Sequence, residues 1–127
     1  MSHVDLDQYP VVPTSFARMQ PLNEALAISA FGLNAVVLDP GDGSDTAHDE
    51  SDDLQQEVYV VLRGRARIRV GDEEVEATPG TIVAAPDPSV VRSYEALEPG
   101  TRLLCIGAQT PDEPPPYGAW IEQDRTS

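Results

Sequence analysis

Cysteine and histidine are both scarce in this chain of 127 residues. The single cysteine, Cys105, excludes an internal disulfide and lies in the apolar run 103–106, so we expect a buried, unreactive thiol there. Nothing near it in sequence would stabilise a thiolate, which argues against a catalytic cysteine. The two histidines, His3 and His48, are too few for a metal site built from three imidazoles. Glycine-rich phosphate loops and paired-cysteine motifs are also missing.

Basic residues are few as well, 8 against 22 acidic ones, and the formal net charge is −14. A surface this acidic repels phosphate backbones and anionic lipid headgroups, so neither nucleic acid nor a membrane surface is an expected partner. Solubility alone explains such acidity in most proteins. A preference for cationic ligands is the alternative.

Long hydrophobic runs are absent too. No stretch of about 18 apolar residues could span a bilayer, and residues 1–13 lack the basic and apolar regions of a signal peptide. These absences predict a cytoplasmic protein.

The length and a hydrophobic content of 40% are typical of one folded domain. We divide the chain into an N-terminal arm (1–24), a β-barrel domain (25–110) and a Pro-rich C-terminal tail (111–127). The arm has no sustained period and is expected to be irregular or to form a short edge strand. Pro21–Ala27 suits a helical turn, because proline is favoured at a first helical position. The apolar segment Ala25–Leu38 then predicts two strands or one bent strand.

The clearest strand signal runs from Glu57 to Val70 and continues after a turn at Gly71–Asp72. Beyond Gly64, apolar and charged residues alternate strictly, so the charged residues of both strands share one face of a hairpin. We expect the arginines of this face to form ion pairs with the glutamates on the neighbouring strand rather than to bind an anion. The residues are Arg65, Arg67, Arg69, Glu74 and Glu76.

Further strands are predicted at Thr81–Ala85, around Val90 and Val91, and at Thr101–Ala108, with turns between them. Strands about ten residues apart with little helix indicate an all-β antiparallel sandwich or barrel. The segment Asp39–Asp53 holds seven acidic residues with Gly and Pro, which is typical of a solvated loop. The tail carries four prolines within 111–116, and we expect Tyr117 and Trp120 to dock on the barrel or on a second subunit.

Two of these stretches resemble the paired motifs of the cupin superfamily, a jelly-roll barrel also described as a double-stranded β-helix. Glu57 followed by Gly64, in QQEVYVVLRG, is similar to the second half of the first motif. Gly80 and Pro86, in GTIVAAPDPSVVR, are similar to the opening of the second motif. The resemblance spans residues 34–108 and implies a cupin-like barrel whose two motifs meet inside it. It leaves the activity open, because cupins include dioxygenases, isomerases, decarboxylases, storage proteins and sensors.

The resemblance also implies a metal held by three histidines and one glutamate, and most of these ligands are missing here. If His48 takes the first histidine position, Glu50 takes the second; if His48 takes the second, Thr46 takes the first. At the second motif Val91 fills the histidine position, next to Arg92, and Pro88 replaces a glycine. The remaining ligand set is His48, Glu57 and Glu50, which suits a weakly held hard cation better than iron or copper.

Two functions follow, and a third stays open. In the first, the barrel binds a small organic ligand without a metal or other cofactor, and the polar or cationic ligand is expected at Glu57, Tyr59, Val91, Cys105 and His48. In the second, a divergent dioxygenase or isomerase uses a divalent metal at His48, Glu57 and Glu50. In the third, the acidic loop 42–53 pairs with another protein. The resemblance further implies a homodimer, which would also cover a sheet edge.

Overall fold

The structure is a computed structural model that describes residues 1–15, 17–43 and 47–113. Short β-strands dominate these residues, as the turn spacing predicts, and one helical turn lies between β2 and β3. The elements are β1 (Val12–Pro13), β2 (Arg18–Pro21), α1 (Asn23–Leu26), β3 (Gly32–Leu38), β4 (Pro40–Gly43), β5 (Gln55–Arg63), β6 (Ala66–Val70), β7 (Glu73–Ala77), β8 (Ile82–Ala85), β9 (Arg92–Ala96) and β10 (Thr101–Gln109).

The larger sheet has the strand order β1-β2-β3-β10-β5-β8 and is antiparallel throughout. Strands β1 and β2 come from the predicted arm, and β1 is the edge strand of this sheet. Strand β10 lies between β3 and β5 and brings distant parts of the chain together. Its Cys105 pairs with Asn34 on one side and with Tyr59 on the other.

The smaller sheet has the order β7-β6-β9 and contains the predicted hairpin. Arg67 lies opposite Glu76, and Arg69 lies opposite Glu74, as the alternation predicts. On β9, Glu95 lies opposite Arg67 and accepts a hydrogen bond of 2.8 Å from its Nη1. The charged face of this sheet is therefore a set of cross-strand ion pairs in water.

The core lies between the two sheets, where their inward faces meet. The rings of Tyr59 on β5 and Tyr94 on β9 are 5.5 Å apart between centroids and tilted by 55°, an arrangement that aromatic pairs favour. Small residues on the smaller sheet allow the two sheets to approach closely. The buried cluster includes Val36, Leu38, Tyr59, Val61, Ala66, Ile68, Ala77, Tyr94, Ala96 and Leu103.

The structure differs from the sequence-based expectations in two segments. Residues 25–38 do not form two strands, because α1 takes the first part and only β3 follows. The acidic segment 39–53 is not entirely a loop, because β4 lies at its start. Residues 114–127, with the predicted docking residues Tyr117 and Trp120, lie outside the described residues. None of the described helices is long and apolar enough to cross a membrane.

Candidate functional site

Glu57 is the centre of a polar cluster on the inward face of the larger sheet. It lies on β5, two residues before the buried Tyr59, and its backbone is paired with β8 and β10 on either side. Three side chains converge on one oxygen of its carboxylate, Oε1. The Tyr59 hydroxyl donates to it over 3.0 Å and Nη1 of Arg92 donates over 3.1 Å, while Nε2 of His48 lies 3.2 Å away. The other oxygen, Oε2, accepts no hydrogen bond from the described residues.

Arg92 is the most deeply buried charged residue of this cluster, with a side-chain exposure of 0%. Its Nε and Nη2 donate to the backbone carbonyl of Val90, and Nη2 also donates to that of Asp87. The guanidinium therefore holds the turn before β9 and neutralises Glu57 at the same time. A buried charge requires such a partner, because burying it alone is costly.

His48 reaches the cluster through a backbone bridge to Arg92. Each residue donates its N–H to the other's carbonyl, over 2.9 and 2.8 Å. The imidazole is 40% exposed, and its Nε2 lies 3.0 Å from Oε1 of Glu50. Burial raises the pKa of the Glu50 carboxyl above its usual value, and the negative charge of Glu57 adds to this. His48 and Glu50 thus form the solvent side of the site.

Tyr59, Tyr94 and Cys105 form its inner wall. Tyr59 is fully buried, and burial together with the nearby Glu57 raises the pKa of its hydroxyl far above the usual value. Cys105 is partly exposed, but its thiol is desolvated, and burial raises its pKa to about 12. Both groups are neutral at physiological pH, so they act as packing and hydrogen-bonding groups rather than as nucleophiles.

The structure brings four of the five predicted ligand-binding residues together, and the exposed Val91 lies apart from them. Its side chain is 53% exposed and points away from the barrel interior. The reason is the strand register, because the bridge between His48 and Arg92 turns Arg92 inward, and successive residues of an extended chain face opposite sides.

Arg92 is the site residue that the motif comparison missed. The signal was present in the alternation of β9, where Arg92, Tyr94 and Ala96 are buried while Ser93 and Glu95 are partly exposed. Tyr94 and Ala96 are ordinary inward residues, so Arg92 belongs to their face. Arg92, rather than Val91, is therefore the buried residue at this point of the chain.

A divalent metal fits this cluster poorly. The ligand atoms of His48, Glu50 and Glu57 lie within 4.8 Å of one another, which is close enough for a shared ion among the described residues. However, the Glu57 oxygen that His48 approaches is already paired with the guanidinium of Arg92. A divalent cation bound at Glu57 would be repelled by the buried guanidinium of Arg92, because little solvent screens the two charges. Only one imidazole belongs to the cluster, against the three that the resemblance implies.

Solved structures show which architecture positions these residues. A sugar phosphate isomerase of the cupin superfamily from Silicibacter pomeroyi superposes with a TM-score of 0.68 at 24% identity, over 86% of this chain and 76% of the other. The cupin domain of Cnp3 from Schizosaccharomyces pombe superposes with a TM-score of 0.67 at 12% identity, over 97% and 73%. This chain has the cupin fold.

KdgF from Halomonas sp. shares the cupin fold as well, with a TM-score of 0.66 at 17% identity over 84% of this chain and 93% of the other. No family model matches the sequence, and no curated protein matches it. At these identities the likeness establishes the architecture, and the function of this cupin-fold chain has to be argued from its own residues.

Proposed function

We propose that this protein binds a small neutral or cationic organic molecule in its cupin barrel, at Glu57, without a bound metal. The observation that carries the proposal is the ion pair between Arg92 and Glu57. It supplies a fixed positive charge where a metal-binding cupin would hold an ion. Glu57 keeps one carboxylate oxygen without a hydrogen-bond partner among the described residues, and this oxygen can accept from a ligand N–H or O–H.

The charges around Glu57 argue against an anionic ligand. Glu50 and Glu57 are both carboxylates, and Arg92 directs its donors to Glu57 and to backbone carbonyls. An anion would have to displace Glu57 from Arg92 and leave that carboxylate unpaired, which costs more than one new ion pair returns.

Two of the structural neighbours are named as sugar phosphate isomerases. A phosphate group needs a cation or several free N–H donors, and the guanidinium beside Glu57 is already engaged. We therefore do not extend the isomerase activity to this chain.

The proposal is tested by thermal unfolding of chelator-treated protein with small amines, amides and polyols, each compared with a carboxylate of similar size. We expect stabilisation by neutral or cationic compounds and none by their anionic counterparts. Glu57→Gln should remove the response. Glu57→Ala is the poorer variant, because it removes the hydrogen-bond acceptor of the buried Arg92 as well as the carboxylate charge, whereas Gln keeps an acceptor oxygen.

A response that depends on added divalent metal, or one confined to anions, would contradict the proposal. Circular dichroism of Glu57→Gln separates a lost response from a lost fold. The matched control is Glu95→Gln, which removes a carboxylate from a partly exposed ion pair of the smaller sheet.

The second candidate is a metal-dependent enzyme, which the grouping of His48, Glu50 and Glu57 within 4.8 Å favours. Elemental analysis of the purified protein decides between the two. A stoichiometric metal that is lost in His48→Ala would favour the enzyme.

We further propose a cytoplasmic homodimer, with the sheet edge at β8 as the contact. This edge exposes Ile82, whose side chain is 66% accessible, and an uncovered edge strand invites pairing. Light scattering of the purified protein, with Ile82→Lys as the variant, tests the assembly.

A further inference from the structure

A second set of polar side chains lines an open depression of about 470 Å³ at one end of the barrel. This volume lies within the range of about 300–1,000 Å³ that small-molecule sites occupy. The depression is bounded by the first residue of β5, the last residues of β10, and the segment between α1 and β3. Its lining includes Asn23, Ser29, Phe31, Gln55, Gly107 and Gln109.

This depression adjoins Glu57. Gly107 lies directly opposite Glu57 in the pairing of β10 with β5. A Cβ at Gly107 would be 3.7 Å from Cγ of Glu57 and 2.9 Å from Oε1 of Gln55. Gln55 and Glu57 are two residues apart on one strand, so both face inward. Because Gly107 has no side chain, Oε1 of Gln55 and Cγ of Glu57 both lie close to its backbone, which places the Glu57 side chain beside the lining of the depression.

The chemistry of the lining is neutral and rich in hydrogen-bonding groups. No lysine, arginine, aspartate or glutamate belongs to the lining that the described residues provide. The Asn23 side chain is used within the fold, where it binds the backbone of Ile28, Phe31 and Leu33.

Two amides of the lining are available to a ligand. The side chains of Gln55 and Gln109 make no hydrogen bond within the described residues. Each amide both donates and accepts, which matches the hydroxyl groups of a polyol. The Phe31 ring is 38% exposed beside them and offers an apolar face of the kind that packs on C–H groups.

We propose that this depression binds a neutral carbohydrate, held by Gln55 and Gln109, with one hydroxyl directed to Glu57. The inference rests on the proposed function, because it assigns a ligand class to the same barrel interior. A sugar bearing a phosphate or a carboxylate finds no cation in this lining. We therefore expect the site to bind a neutral sugar more tightly than its acidic derivatives.

The test is a binding measurement by saturation-transfer NMR and calorimetry on the full chain. The probes are D-glucose, D-galactose and D-xylose, with glucose 6-phosphate and glucuronic acid as charged counterparts. We expect binding of at least one neutral sugar and weaker binding of the charged sugars. Gln55→Ala should weaken binding by about tenfold, the loss expected from one or two hydrogen bonds.

The matched control is Gln56→Ala. Gln56 is the next residue of β5, faces the opposite side and donates to the carbonyl of Pro86. This variant should bind the sugar like the wild type. Gly107→Ala should block binding with the fold intact, because the nearest obstacle to the new methyl group is the end of the flexible Gln55 side chain.

Absence of binding by all three neutral sugars overturns the inference, and so does equal binding by wild type and Gly107→Ala. Tighter binding of the charged sugars overturns the ligand class. If small amines stabilise the protein through Glu57 while no sugar binds, this inference fails and the proposed function stands. Sugar binding that is lost in Gly107→Ala but kept in Glu57→Gln supports the site and refutes the role of Glu57.

Discussion

Nη1 of Arg92 lies 3.1 Å from Oε1 of Glu57, and the Arg92 side chain is 0% exposed. These two residues are 35 positions apart in sequence and lie on different sheets. Their ion pair joins the two chain segments that resemble the cupin motifs. The contribution of this ion pair to the free energy of unfolding can be measured directly.

Breaking the pair from one side should be strongly destabilising. We expect Arg92→Gln or Glu57→Gln to lower the free energy of unfolding by about 3 kcal/mol, because each leaves a desolvated partner charge. The double variant should lose less than the sum of the two. Urea unfolding of the four proteins measures this coupling.

The control for this experiment is the partly exposed pair of Arg67 and Glu95, which are 2.8 Å apart. Arg67→Gln should cost no more than about 1 kcal/mol, because solvent screens such pairs. If the two pairs lost equal free energy of unfolding, the burial of Arg92 would not make its ion pair more important for stability.

Replacing Arg92 with histidine should create metal affinity. Arg92→His removes the fixed cation and adds a second imidazole to His48, Glu50 and Glu57, the donor set that divalent transition ions prefer. Calorimetry with Zn²⁺ should detect binding in this variant and much weaker binding in the wild type. The control is Arg92→His combined with His48→Ala, and tight binding by the wild type would contradict the prediction.

The two motif glycines should differ in their tolerance of alanine. Gly64 has a φ of +79°, and a Cβ there would lie 2.8 Å from the Thr101 Cα and also clash with the Thr101 Oγ1. Gly80 has a φ of +92° but meets nothing within 4 Å.

Gly80→Ala should therefore cost only the backbone strain of about 1–2 kcal/mol. Gly64→Ala should cost about 3 kcal/mol or more, because overpacking is added to the strain. Thermal and urea unfolding compare the two variants, and equal losses would refute a role for the contact with Thr101.

Cys105 should react slowly with thiol reagents in the native protein. Its pKa is raised from 9.0 to about 12 by burial, so at pH 8 the thiolate population is about a thousandfold below that of an ordinary cysteine. Iodoacetamide alkylation followed by mass spectrometry should show a much lower rate in buffer than in urea. Rapid native alkylation would show that the thiol is exposed to solvent.

Local periodicity predicted the β6–β7 hairpin, including the pairing of Arg67 with Glu76, because alternation and turn residues act within about ten residues. The resemblance to the first cupin motif, rather than periodicity, pointed to Glu57 as a candidate site residue. The spacing could not decide which histidine position of the motif His48 takes, since the segment before Glu57 is longer than the usual pattern. A shift of one residue at Val91 and Arg92 then reversed which side chain faces inward.

The composition and alternation of the sequence determined an all-β chain with one strongly charged hairpin and too few imidazoles for a three-histidine metal site. These properties depend on residue inventories and on neighbours in the chain. The tertiary structure decided that Arg92 is the inward residue, that it pairs with Glu57, and that Gly107 lies opposite Glu57 in the sheet. Such facts depend on which distant strands pair and in which register, and that register is set by packing of the whole barrel.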